Sequence, residues 1–104
     1  MYRVFRSGKY EKRLNKLDKS ESDRVVDFEQ SLKIEPYNGK PLGYEFFREK
    51  KFNGNRIIFL IYEQHKCVFL VVITNKKIQQ QEINLIKANL DVYKEEIEKR
   101  IKEL

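Results

Sequence analysis

Arg56-Ile57-Ile58-Phe59-Leu60-Ile61-Tyr62-Glu63 and Cys67-Val68-Phe69-Leu70-Val71-Val72-Ile73-Thr74 are two strongly apolar runs separated only by Gln64-His65-Lys66. Runs of this length, rich in β-branched and aromatic side chains and joined by a short polar turn, read as an antiparallel hairpin. In such a hairpin the start of the first strand lies beside the end of the second, which brings Arg56 next to Lys76. Asn53-Gly54-Asn55 joins an earlier strand, Tyr44 to Phe52, to the same end, because Asn-Gly supplies the positive φ angles of a tight turn. Arg48, Lys50, Lys51, Arg56, Lys76 and Lys77 are therefore expected to converge on one rim of a small sheet. Like charges gathered this way repel unless something anionic binds among them.

Working outward, Tyr2-Arg3-Val4-Phe5-Arg6 alternates polar and apolar side chains as a short strand does. Ser7 is placed to cap a helix running to about Leu17, with Tyr10, Leu14 and Leu17 on one face. Ser20, followed by Asp23, reads as the start of a second helix to about Ile34 that carries Val25, Phe28 and Leu32. Pro36, Asn38, Gly39, Pro41 and Gly43 fill an irregular connection. Beyond the hairpin, Ile83, Ile86, Leu90, Tyr93, Ile97, Ile101 and Leu104 form a stripe at three- and four-residue spacings among Lys and Glu. The expected fold is one α+β domain over residues 1–104. A small, mostly antiparallel sheet packs against an N-terminal helical hairpin, and residues 79–104 form one long C-terminal helix.

That helix would be ~39 Å long at 1.5 Å per residue, longer than the strands it follows. Its distal stripe, Tyr93, Ile97, Ile101 and Leu104, is thus a candidate partner-binding surface, for a second copy of the chain or for another protein.

Charge is unevenly divided. Residues 1–78 hold 17 basic and 10 acidic side chains, whereas residues 79–104 hold 5 and 6, within a formal net charge of +6. The sheet region therefore calls for an anionic partner, nucleic acid ahead of membrane, since no stretch resembles a signal peptide or a spanning helix. The single cysteine, Cys67, excludes an internal disulfide and suits the cytoplasm.

Several chemistries lack their residues. There is no Gly-rich phosphate loop, no Cys and His spacing for zinc, no acidic calcium loop and no Ser-centred nucleophile elbow, so no metal or cofactor is expected. His65 falls in the turn at the far end of the hairpin, ~25 Å from the rim for strands of eight residues, and reads as a turn residue. Cys67 reads as packing. RNA cleavage by its own 2′-hydroxyl needs a proton acceptor, a proton donor for the leaving oxygen and positive charge around the phosphorane. The rim supplies the charge, with arginine able to hold phosphate at two points.

Lys40-Pro41-Leu42-Gly43-Tyr44-Glu45-Phe46-Phe47-Arg48-Glu49-Lys50-Lys51-Phe52, Arg56-Ile57-Ile58-Phe59-Leu60-Ile61-Tyr62 and Val71-Val72-Ile73-Thr74-Asn75-Lys76-Lys77, in this element order, resemble the RelE/ParE toxin superfamily of bacterial and archaeal toxin–antitoxin systems. The resemblance extends to about Lys87. It implies a toxin that cleaves messenger RNA on the ribosome without a metal and is held inactive by a cognate antitoxin. Arg56 would match the phosphate-binding arginine, Lys50 and Lys51 the basic pair on the preceding strand, and Lys76 or Lys77 the cation after the last strand. Ile78-Gln79-Gln80-Gln81-Glu82-Ile83 carries no tyrosine or histidine where catalytic members often have one; Glu82 is the proton acceptor at hand there. Two other readings stay open: a ParE-like toxin that inhibits gyrase by binding protein, and a non-toxic homologue that binds RNA or the ribosome.

Overall fold

The computed structural model describes residues 1–104. The elements in order are β1 (Arg3–Arg6), α1 (Gly8–Leu14), α2 (Lys19–Leu32), β2 (Lys40–Tyr44), β3 (Phe47–Phe52), β4 (Asn55–Tyr62), β5 (Cys67–Asn75), α3 (Gln79–Ala88) and α4 (Leu90–Lys102), with a 3₁₀ turn at Glu63–His65. The strands make one sheet in the order β1-β5-β4-β3-β2. Only β1, which runs parallel to β5, departs from the antiparallel pattern.

Both apolar runs are central strands covered on two sides, which is why they read as continuous hydrophobic stretches rather than alternating ones. Ile57, Phe59, Ile61, Val68, Leu70 and Ile73 pack against Tyr10 and Leu14 of α1 and Val25, Phe28 and Leu32 of α2. Ile58, Leu60, Cys67, Phe69, Val71 and Val72 face the other way, against Phe47, Ile83, Ile86 and Ile97. Burying each large apolar side chain contributes roughly 1.5–3 kcal/mol, so the two layers together specify the fold. Burial also pushes the Cys67 thiol up to about 11, in keeping with a packing role.

The chain opens on β1, and two side-chain networks fasten it to the helices that follow. Ser7 caps α1 as its sequence position predicts: its hydroxyl accepts from Tyr10 N at 3.0 Å and donates to Val71 O at 2.6 Å, beside an irregularity in the β4–β5 register. Glu29 of α2, 5 % exposed, accepts from Arg6 Nε and Nη2 and from Tyr10 Oη at 3.0, 2.7 and 2.7 Å. Burial first, then the neighbouring carboxylate, raises the Tyr10 hydroxyl pKa, so it remains a donor. The second helix is capped by Asp18, not Ser20, with the Asp18 carboxylate accepting from Glu21 N at 2.8 Å.

The C-terminal segment differs from the single rod expected over residues 79–104. Asn89 (φ −126°, ψ 26°) separates α3 from α4, and its side-chain amide donates to Leu85 O at 2.8 Å. A side chain that competes for a carbonyl one turn back interrupts the helical ladder. The break folds α4 onto the sheet. Ile97 is fully buried, while Tyr93 and Ile101 pack on the same cluster, Tyr93 edge-on to Phe69 at 6.2 Å. Of the four residues expected to meet a partner, Leu104 alone is largely exposed, at 75 %. No helix is long and apolar enough to cross a membrane.

Candidate functional site

Three strand ends and the start of α3 meet at the rim predicted from the sequence. Asn53, with φ at +50°, and Gly54 turn β3 into β4, so Lys51 pairs with Arg56 and Phe52 with Asn55. On the other side of β4, Arg56 pairs with Thr74 and Asn55 with Asn75. Lys76 is thus the first residue beyond the ladder, in the exposed Lys76–Lys77 turn that Asn75 braces by accepting from Ile78 N at 3.2 Å. An open groove of about 480 Å³ lies along this edge, lined by Gly39, Lys40, Glu49, Lys50, Lys51, Arg56 and Gln79, with no hydrophobic side chain.

The cations at the rim are not equivalent. Arg56, at the start of β4, is only 6 % exposed. No carboxylate lies within ion-pair distance of it. Its one hydrogen bond, from Nη1 to Asn55 O, is long at 3.5 Å. A guanidinium withdrawn from water without a counter-ion is costly, and an anion entering the groove relieves that cost. Opposite it, the buried Thr74 hydroxyl has no hydrogen-bond partner. Lys51 shares the Arg56 face of the sheet and is exposed. Lys50, one residue earlier, points to the other face, where its ammonium lies 5.8 Å from the centroid of the Phe28 ring.

Arg48 leaves the set of rim cations. Its Nε donates to Asn38 O at 2.9 Å, Nη2 to Gly39 O at 3.1 Å and Nη1 to Glu45 O at 3.1 Å, with the Glu45 carboxylate at 3.3 Å. All three nitrogens are occupied, so the guanidinium clamps the loop before β2 and is not free to bind phosphate. Nor is Glu82 a free proton acceptor, since Lys9 Nζ donates to both of its oxygens at 3.0 and 2.9 Å. His65 lies in the turn at the opposite end of the sheet, its Nε2 3.1 Å from Glu98 Oε2.

Four residues of the groove, Gly39, Lys40, Glu49 and Gln79, were missed in the sequence. Lys40 enters through β2, which pairs it with Glu49; Pro41 and Gly43 disguise this edge strand as a loop. Gly39 (φ +79°) makes the approach possible, since a Cβ there would stand 2.2 Å from Glu49 O. Glu49 and Gln79 join across the groove wall, Gln79 Nε2 donating to Glu49 Oε2 at 2.5 Å. The alternation of β3 places Glu49 beside Lys51 on the Arg56 face, which is the signal that finds it.

No protein-family model matches the sequence, and no curated protein is a significant match. Solved structures do match. The intact RelBE toxin–antitoxin complex of E. coli superposes with a TM-score of 0.66 at 15 % identity, covering 72 % of this chain and 96 % of that one. The toxin–antitoxin complex RelBE2 of Mycobacterium tuberculosis gives 0.63 at 25 % identity, covering 72 % and 98 %. The isolated E. coli RelE toxin gives 0.65 at 14 % identity, covering 83 % and 99 %. The chain has the RelE-like toxin fold: a five-stranded mixed sheet with four helices.

Proposed function

From a chain with the RelE-like toxin fold and a cationic groove at its sheet edge, we propose a toxin of a toxin–antitoxin system that cleaves messenger RNA on the ribosome without a metal. The observation that carries this reading is Arg56: a buried guanidinium with no carboxylate partner, opening onto a groove without a hydrophobic lining residue. In this reading Arg56 grips the scissile phosphate at two points and Lys51 adds charge from the same face. Lys76 and Lys77 hold the chain on the 3′ or 5′ side of the cut, and Lys50 reinforces the field from across the strand. The chain is cytoplasmic, and a cognate antitoxin holds it inactive, as antitoxins accompany the RelE toxins in the solved complexes.

Induced expression tests the reading. Growth arrest accompanied by breaks in ribosome-bound transcripts is the expected result, with both lost in Arg56→Gln, which keeps much of the buried volume. Growth arrest with intact transcripts would instead indicate a gyrase-type or other protein-binding toxin, and unimpaired growth a non-toxic RNA- or ribosome-binding homologue.

A further inference from the structure

The cations of the groove supply charge, but cleavage by a 2′-hydroxyl also needs a group to take its proton. Ammonium and guanidinium groups as a class carry their protons near neutral pH and act as donors, whereas an ionised carboxylate only accepts. Among the lining residues there is one carboxylate, Glu49. It is 8 % exposed and makes no ion pair, although Lys40, its partner across the β2–β3 ladder, and Lys51 and Arg56 share its face of the sheet. Gln79 Nε2 fixes one oxygen, Oε2, at 2.5 Å. The other, Oε1, accepts no hydrogen bond, and Glu49 lines the groove.

A carboxylate kept out of the salt bridges around it, with one oxygen pinned and one free, has the form of a positioned proton acceptor. The alternative is a simple counter-charge to the rim, but a counter-charge would close on Lys40, Lys51 or Arg56 in an ion pair, and Glu49 does not. Resting on the nuclease reading above, we infer that Glu49 is the general base of RNA cleavage and that Gln79 positions it. Glu49 Oε1 takes the 2′-hydroxyl proton as the 2′-oxygen bonds to the adjacent phosphorus. The bond from phosphorus to the 5′-oxygen breaks, that oxygen takes a proton from water in the open groove, and the hydroxide left behind takes the proton back from Glu49. The products are a 2′,3′-cyclic phosphate and a 5′-hydroxyl, with no oxidant, reductant or metal consumed.

Single-turnover cleavage of a defined mRNA on purified ribosomes across pH tests this. Glu49→Gln should lower the rate by about 10²–10⁴-fold and abolish the acidic limb of the pH–rate profile, while RNA binding is retained or tightened. Gln79→Ala should slow cleavage less and keep the limb. Where Glu49→Gln fails to melt cooperatively, Glu49→Asp carries the test, with slower cleavage and the limb retained. A wild type that cleaves, with Glu49→Gln or Glu49→Asp cleaving at its rate and with its pH profile, overturns the assignment of Glu49 alone. A wild type that leaves the mRNA intact overturns the nuclease reading and this inference together.

Discussion

Lys51 and Arg56 face each other across the β3–β4 ladder, two cations in register with no carboxylate paired to either. Like charges directly opposite destabilise a sheet by roughly 0.2–1 kcal/mol. A pair kept in this arrangement gives up stability for an electrostatic field, and that trade is measurable. Lys51→Ala should leave the melting temperature unchanged or raise it, while weakening RNA binding. A clear loss of stability would mean that Lys51 packs rather than projects charge.

Arg48 provides the contrast, because it bears the same charge two residues from Lys50 and has a different use. Arg48→Ala removes donors from three backbone carbonyls and should destabilise the protein by about 1.5–3 kcal/mol, as loss of charged hydrogen bonds does. In RNA binding, the slope of log affinity against log salt changes by about 0.7 for each phosphate contact on single strands. Lys51→Ala should therefore flatten that slope by about 0.7, and Arg48→Ala should leave it alone. An equal change in both would return Arg48 to the interface.

The distal stripe of the C-terminal segment makes a third prediction, opposite to the one its sequence suggests. Ile97 is fully buried in the second layer of the core, so Ile97→Ala should cost ~2–5 kcal/mol. Leu104→Ala, at an exposed position, should fall within about 0.5 kcal/mol of wild type. Chemical denaturation of both variants checks this, and equal midpoints would mean that α4 does not pack on the sheet.

Acid sensitivity is expected from the opposite end of the sheet. Glu63 accepts from Tyr2 Oη at 2.7 Å, Tyr37 Oη at 2.9 Å and Lys66 Nζ. The Lys66 ammonium, followed by the two tyrosine hydroxyls, holds the Glu63 carboxyl at about 2, below the ordinary 4.5. A depressed carboxylate stabilises the fold above its unfolded value and loses that contribution as it is protonated. The difference in melting temperature between wild type and Glu63→Gln should therefore be full above pH 4.5 and shrink as pH falls toward 2. A difference that stays constant over that range would exclude Glu63 as the titrating group.

How legible these features are in the sequence depends on whether one residue or many encode them. Ile57 to Ile61 and Val68 to Ile73 announce central strands because double-sided burial leaves no polar alternation to obscure them. The rim follows from hairpin topology, and so Lys51, Arg56 and Lys76 are found. The break at Asn89 is hidden because Ile86, Leu90 and Tyr93 continue the stripe across it, and only the side-chain bond to Leu85 interrupts the helix. Arg48 cannot be told from Lys50 by charge, since what separates them is three carbonyls in a loop folded by Gly39. Glu49 goes unnoticed among its basic neighbours until α3 brings Gln79 across to it.

The central claim is that Arg56 anchors a phosphate during cleavage. Its most direct test is single-turnover cleavage of a defined mRNA on purified ribosomes by wild type and by Arg56→Gln, with cooperative thermal melts showing both proteins folded. Loss of a donor that stabilises transition-state charge typically lowers the rate by about 10²–10³-fold. A fall of that size in folded Arg56→Gln is the predicted result, and cleavage by Arg56→Gln at the wild-type rate would contradict it.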